Sequence, residues 1–458
     1  MNNGLRKGLT LAAITTLIGA STACSTTPLN SQIARTGLNI TQGNSLGALN
    51  SRRIRNGKKW TIAIHLAADN NLYSAGLKDI NEMEAGLASD DIDVVVLFDG
   101  IKRGDSKIYR IKRDPQGMNR NIISEVLNDK GAVINPKTKE IDSGDPKVFH
   151  NFVDWVTKNF PAEHNSIAIW NHGSGIYRAG VNVVPRTPGD FFETMGANAL
   201  VRGVSSKSFA SDDNGGEMHL KDLNPALSNG AKNLGKPFDI LGFDTCLMGY
   251  METAYQVKGL ANVLVASEEL EPGDGWDYQA YIAGLSKNPD ANAHQLSALM
   301  VDAFGKSYRP GGSQRGRDIT LSAIDINQLT SQLVPAVNRL GAELKNSLGT
   351  DKAVIDTARN ATQSFYNRNS ADLGDFVGKM SQSRNGRVSA AAVGVQQAMN
   401  SAVINETHYG GGVERASGIQ LYFPRSNMSY NRRYDDASDI LFAENPAWGQ
   451  FLKAYTGR

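Results

Sequence analysis

From residue 60 onward the chain alternates short apolar runs with stretches whose apolar residues recur at helical spacing, and this alternation most constrains its fold. The runs at 60–66, 94–98, 166–171, 238–243 and 262–266 read as buried strands. Between them, 77–87, 146–159, 220–227 and 247–257 read as helices. Strands that are apolar on both faces and separated by helices predict an α/β fold, a doubly wound, mostly parallel sheet flanked by helices. Beyond residue 289, helical patterns at 291–304, 329–348, 354–365 and 388–403 accompany strand-like stretches at 319–324 and 418–423. This part is read as a C-terminal α+β region that either extends the sheet or packs on it as a second layer.

Three of the buried runs end in polar or small residues: Ala67-Ala68-Asp69-Asn70-Asn71, Asn171-His172-Gly173-Ser174-Gly175 and Asp244-Thr245-Cys246. In open α/β sheets ligands bind outside the carboxyl ends of the strands. His172 and Cys246 are therefore predicted at the same sheet edge. A thiol nucleophile needs a proton carrier and donors for an oxyanion. A helix starting near Leu247 would favour the Cys246 thiolate, and the backbone N–H groups of Cys246 and Gly173 are the expected oxyanion donors. Asp244 is either a tuning charge beside the thiol or an N-cap of the following helix. Of seven histidines, only His172 combines a strand end with a flanking glycine; His65 lies inside a strand-like run and reads as a core residue.

Composition narrows the partners. The 48 basic and 46 acidic residues leave a net charge of +2, too even a balance to point to nucleic acid or anionic lipid. No Asp or Glu precedes Asp69, so the amino-terminal end is a basic region distinct from the body. Arg6 and Lys7, the apolar stretch 8–20 and the small residues Ser21-Thr22-Ala23 read as a signal peptide over 1–23. Residues 24–58 read as a flexible polar tether, 59–288 as the catalytic region and 289–458 as the region that completes it.

Cys24 follows the small residues and resembles the lipidated cysteine of bacterial lipoproteins, although Ser21 stands where leucine is usual. The expectation is an exported, lipid-anchored protein, with simple secretion as the alternative; that anchor would be its only membrane contact. With Cys24 lipidated, Cys246 has no intramolecular disulfide partner, since the chain holds two cysteines. Gly43-Asn44-Ser45-Leu46-Gly47 fits a serine-hydrolase string but lacks the strand-turn-helix setting that such a nucleophile needs. No Cys/His cluster has zinc spacing.

The strings WTIAIHLAADNNL, DINEME, SIAIWNHGSG, FDILGFDTCLMGYMETAY, VASEELEPGDGWDY, SAIDI, DLGDF and GIQLYFP together resemble the clostripain-like cysteine peptidases, from about residue 60 to near the end. The resemblance implies a caspase-like fold, a His172/Cys246 dyad without an obligatory third member, and cleavage of proteins or peptides after arginine and, less often, lysine. A cationic side chain before the cut bond needs a carboxylate in the S1 pocket. Asp274, in the loop Pro272-Gly273-Asp274-Gly275-Trp276, is the candidate, with Glu268, Glu269, Glu271 and Asp277 as competitors. Such enzymes are often zymogens cut between histidine and cysteine, and Arg178, Arg186, Arg202 and Lys207 lie in the long connection 176–210, with Arg186 preferred.

No cofactor is expected to be required. Some relatives depend on calcium, and Asp212-Asp213-Asn214-Gly215-Gly216-Glu217 carries oxygen ligands, but its spacing departs from an EF-hand and it reads as a polar turn. The competing reading of the whole chain is a catalytically silent surface lipoprotein that uses the same fold to bind.

Overall fold

Residues 57–176, 209–212 and 215–458 are described by the computed structural model. The chain begins with β1 (Lys58–Ala67), α1 (Tyr73–Gly86), β2 (Ile92–Asp99), β3 (Lys107–Arg110) and β4 (Glu125–Leu127). It continues through α2 (Pro146–Asn159), β5 (Ala162–Trp170), β6 (Phe209–Ser211), β7 (Glu217–Met218), α3 (Leu220–Leu234), β8 (Phe238–Asp244), α4 (Met251–Gln256) and β9 (Ala261–Ala266). The last part holds α5 (Tyr278–Lys287), α6 (Ala293–Ser307), β10 (Ile319–Asp325), α7 (Val334–Ala361), β11 (Ser370–Asp372), α8 (Leu373–Met380), α9 (Gly386–Ala402), β12 (Val403–Tyr409), β13 (Gln420–Tyr422) and α10 (Pro446–Thr456).

Among the described residues a nine-stranded sheet runs in the order β12-β10-β9-β8-β5-β1-β2-β3-β4. The five central strands are parallel, and β3 and β4 at one edge and β10 and β12 at the other are antiparallel to their neighbours. The chain runs outward from β1 to β2, then returns to the other side of β1 with β5. That reversal leaves a crevice at the carboxyl ends of β1 and β5, where the polar strand ends lie.

Both faces of the sheet are covered, which explains the near-continuous apolar runs. In β1, Trp60, Ile62, Ile64 and Leu66 pack toward α1, α5 and α6, while Ala63 and Ala67 face the core formed with α2, α3, α7 and α9. Each fully buried Ile or Leu contributes roughly 1.5–3 kcal/mol. His65, 1% exposed, donates from Nε2 to the Ser143 carbonyl at 2.8 Å and packs its ring against Phe149, so it is a core residue.

Local signals set several helix starts. Asp145 caps α2 by accepting the Lys147 N–H, with Pro146 at the first helical position, where its missing N–H is no loss. The stretch read as two helices at 329–348 and 354–365 is one long helix, α7, entered through a π-helical turn at Leu329–Leu333. Pro335 lies just inside that entry, and its missing N–H leaves a carbonyl of the preceding turn without an α-helical partner. The C-terminal region does both things foreseen for it. Strands β10 and β12 extend the sheet, while α7, α9, α10 and the β11–β13 pair form a layer against one face.

Candidate active site

Strands β5 and β8 are parallel neighbours with Trp170 opposite Asp244. His172 and Cys246 each stand two residues beyond that pair, so register alone carries them to one place. Both line a pocket at the sheet edge together with Trp170, Asp244, Glu271 and Gly273.

His172 is half-buried and held from two sides. Its Nε2 lies 2.8 Å from Oδ1 of Asn71, at the end of β1. An amide oxygen only accepts, so Nε2 carries the proton and Nδ1 is left as the basic nitrogen. Asn171 ties this corner to β1 by donating from Nδ2 to the Ala67 carbonyl at 2.7 Å, while its Oδ1 accepts the His172 N–H. Asn70 completes an Asx turn, accepting the Leu72 N–H at 2.8 Å. The sequence placed Asn71 at a strand end without giving it a role; the signal was its position in the polar string that closes β1.

Cys246 is buried, in a turn rather than at a helix start. The helix expected from 247 begins only at Met251, so no helix dipole acts on the thiol. Leu247 takes φ 63°, a left-handed conformation unusual for a residue with a side chain, and its N–H donates to the Glu269 carbonyl at 3.1 Å. That sharp turn aims the sulfur into the pocket. The Glu271 N–H donates to Sγ at 3.3 Å, and the Glu271 carbonyl lies 3.8 Å from Sγ. Burial pushes the Cys246 thiol up to about 12; the N–H groups of Glu271 and Gly173 oppose this, while Glu269 and Asp244 reinforce it.

Gly173 packs so closely that a Cβ there would sit 2.1 Å from the Cys246 carbonyl oxygen. Its N–H is one of the groups that oppose the upward push of burial on the Cys246 thiol.

The acids divide differently from the sequence reading. Asp274 pairs with Lys78 of α1 at 2.9 Å, accepts the Arg315 N–H at 3.1 Å, and is not among the pocket-lining residues. Asp244 is among them, and it caps no helix: it accepts from the Tyr278 hydroxyl at 2.8 Å. Burial raises its carboxyl to about 6, with Glu271 and Tyr278 opposing. Glu271 lies against it, and burial followed by the Asp244 charge raises the Glu271 carboxyl well above the usual range. Glu271 had been only one of four competitors, because acids crowded in one loop are indistinguishable until their directions are known.

Cys24 and Arg186 lie outside the described residues, as do Asp213 and Asn214 of the calcium-like string. Of the rest of that string, Asp212 accepts the Ser143 N–H at 3.2 Å and the Gly216 N–H donates to the Asp142 carboxylate at 2.8 Å, the bonding of a polar turn. Among the described residues no group of three or more His, Cys, Asp or Glu side chains is arranged to hold a metal ion.

The sequence model of the Clostripain family (peptidase C11) matches residues 64–455, nearly the whole of the described body. The chain belongs to the Clostripain family. Clostripain of Hathewaya histolytica is 26% identical over 329 residues, which cover 63% of this chain and 57% of clostripain's own length. Among solved structures, a secreted C11 cysteine protease of Bacteroides thetaiotaomicron, determined with an irreversible peptide inhibitor, superposes with a TM-score of 0.59 at 19% identity, covering 85% of this chain and 99% of that one. An inactive zymogen C11 protease of Parabacteroides distasonis gives 0.58 at 17% identity, covering 85% and 98%. At such identities the likeness concerns the fold, and that fold is the helix-flanked, mostly parallel sheet of this Clostripain-family chain. Its match to the family spans both strand ends that carry His172 and Cys246.

Proposed function

We propose that this chain is an exported cysteine endopeptidase that cuts proteins and peptides after arginine, and less readily after lysine, with Cys246 as nucleophile and His172 as acid/base. The observation that carries the reading is one pocket lined by a thiol, an imidazole and two buried carboxylates, Asp244 and Glu271. Sγ gives its proton to His172 and attacks the scissile carbonyl; His172 returns that proton to the leaving amine, leaving an acyl-enzyme. Water, deprotonated by His172, then releases the acid and restores the thiol. The acidic pocket supplies the electrostatic partner for a cationic side chain, whose burial without one is heavily penalised.

A buried, protonated thiol suits a resting form. The stretch 177–208 lies in the chain between His172 and Cys246 and contains Arg178, Arg186, Arg202 and Lys207, all acceptable to the enzyme itself. Autocleavage there, with Arg186 preferred, is the activation step in this reading, and a solved relative of the same fold is an inactive zymogen. The same reading keeps Cys24 as the lipid anchor of an envelope protein, with secretion as the alternative; a solved relative is a secreted protease, and no described helix is long and apolar enough to cross a membrane. No cofactor is needed for these steps, and any calcium effect would lie outside them.

The test compares fluorogenic peptides ending in Arg, Lys, Asp or Leu, using wild type, Cys246→Ala and His172→Ala after a controlled nick near Arg186. Cleavage after Arg and Lys that both substitutions abolish is expected. Absence of cleavage by nicked wild type would leave the binding-module reading in its place.

A further inference from the structure

We infer that a second groove, sharing no residue with the pocket of His172 and Cys246, binds a phosphate or sulfate group, free or esterified to a sugar, and that its occupancy is transmitted to the turn that seats Cys246. The groove has a volume of about 440 Å³ and is lined by the end of α7, the segment 362–368 and the turn 411–415. Arg368, Arg415 and Arg425 reach it from three separate parts of the chain, and among the described residues no Asp or Glu lines it. Asp375 is shared between Arg415 and Lys379, and Glu414 comes to the rim at Gly411, so the basic groups outnumber the acids.

A second observation points to the same ligand. Arg359, in the last turn of α7, is fully buried, and the acceptors it meets are all neutral. Its Nε donates to the Phe423 carbonyl at 2.9 Å, Nη1 to the Ser364 hydroxyl at 3.0 Å, and Nη2 to the carbonyls of Arg368 and Ser370 at 3.0 and 2.8 Å. A buried charge without a counter-ion is costly, and here burial, followed by the Arg425 charge, pulls the guanidinium below its ordinary range. An anion held by Arg425 and Arg368 offsets that charge. A tetrahedral oxyanion presents oxygens in several directions and so suits guanidiniums arriving from three segments, whereas a carboxylate presents two in one plane. The segment that Arg359 holds also reaches the active site. Between the groove residues Ser364 and Arg368, the Tyr366 N–H donates to Oε1 of Glu269 at 3.0 Å and Nδ2 of Asn367 donates to the Tyr250 hydroxyl at 3.1 Å. The Glu269 carbonyl in turn receives the Leu247 N–H of the nucleophile turn. An anion that draws Arg368 therefore acts on a segment bonded through Glu269 to the residue after Cys246.

Two measurements on the full chain test this, both with wild type, Arg368→Gln and Arg425→Gln. Both side chains are exposed, and the urea midpoint checks that each variant folds as wild type does. In the first, inorganic phosphate, inorganic sulfate and glucose 6-phosphate are titrated by calorimetry at an ionic strength held constant with chloride. Saturable binding at a single site is expected in wild type, weakened about tenfold or more by each substitution. Tighter binding of glucose 6-phosphate than of inorganic phosphate identifies the sugar ester as the ligand, and equal or weaker binding identifies the free anion. Absence of saturable binding, or binding that neither substitution weakens, overturns the site. In the second, iodoacetamide alkylation is followed by mass spectrometry on the peptide that contains Cys246, with and without phosphate at the concentration that saturates wild type. The wild-type rate is expected to change about fivefold on saturation, and that of Arg425→Gln far less. An unchanged wild-type rate overturns the transmission to the nucleophile turn. Neither measurement needs peptide cleavage, so both results stand apart from success or failure of the peptidase reading.

Discussion

Asn71 fixes which nitrogen of His172 is basic, and its effect is separable from binding because it sits on the far side of the ring from the thiol's strand. Asn71→Ala removes the acceptor for Nε2–H, so the imidazole loses both its orientation and its preferred tautomer. The expected outcome is a fall in kcat of roughly ten- to a hundredfold with KM little changed, read from steady-state kinetics on an Arg peptide. A pure KM effect would show that Asn71 serves the substrate instead. The thiol itself gives a second test at this scale. Because burial holds Cys246 up to about 12, its thiolate fraction in the intact chain grows with pH throughout the accessible range. Iodoacetamide alkylation of the uncut protein is expected to keep rising to pH 10 without a plateau; a plateau near neutrality would mean that the resting thiol is already ionised.

The ends of β5 and β8 leave no room for a side chain at Gly173. A methyl group there would stand 2.1 Å from the Cys246 carbonyl oxygen and 3.0 Å from its nitrogen, and backbone atoms cannot yield as a flexible side chain would. Gly173→Ala is therefore expected to push the two strand ends apart, costing about 1–3 kcal/mol of stability and at least tenfold in activity. Urea unfolding monitored alongside peptide hydrolysis checks both; wild-type values in both would show that the turn relaxes freely. The elements themselves were largely legible. Buried runs in β1, β2, β5, β8 and β9 announced themselves because parallel strands covered on both faces must be apolar throughout. Helix α4 was not, since apolar residues at 247–250 mimic helical spacing while serving a turn that seats the nucleophile.

Across the whole molecule, folding buries several carboxyl groups and raises them: Glu82 to about 7, Asp99 to about 8, Glu252 to about 7 and Asp372 to about 7, each mainly by burial. For an acid raised by folding, the folded state holds the proton more tightly, so the stabilisation is complete at low pH and is lost as pH climbs through the folded value. His65 has the opposite sign: burial lowers it to about 4 from 6.5, so its contribution is lost as pH falls between those values. Above pH 6.5 only the carboxyl groups of this set remain in play. The urea midpoint is expected to decline from pH 6.5 to 8.5, and more shallowly in Asp99→Asn; a flat midpoint in wild type would refute the assignment.

The sequence by itself determined the α/β class, the central strands and the convergence of His172 and Cys246, because strand periodicity and strand-end polarity are local properties that survive in one dimension. Family strings added the clostripain likeness. Only the tertiary structure decided which acid faces the thiol and which is taken up by Lys78, that Asn71 partners the histidine, and that the nucleophile sits in a turn instead of at a helix start. Those outcomes depend on side-chain direction and on residues far apart in the chain, and no local pattern encodes either.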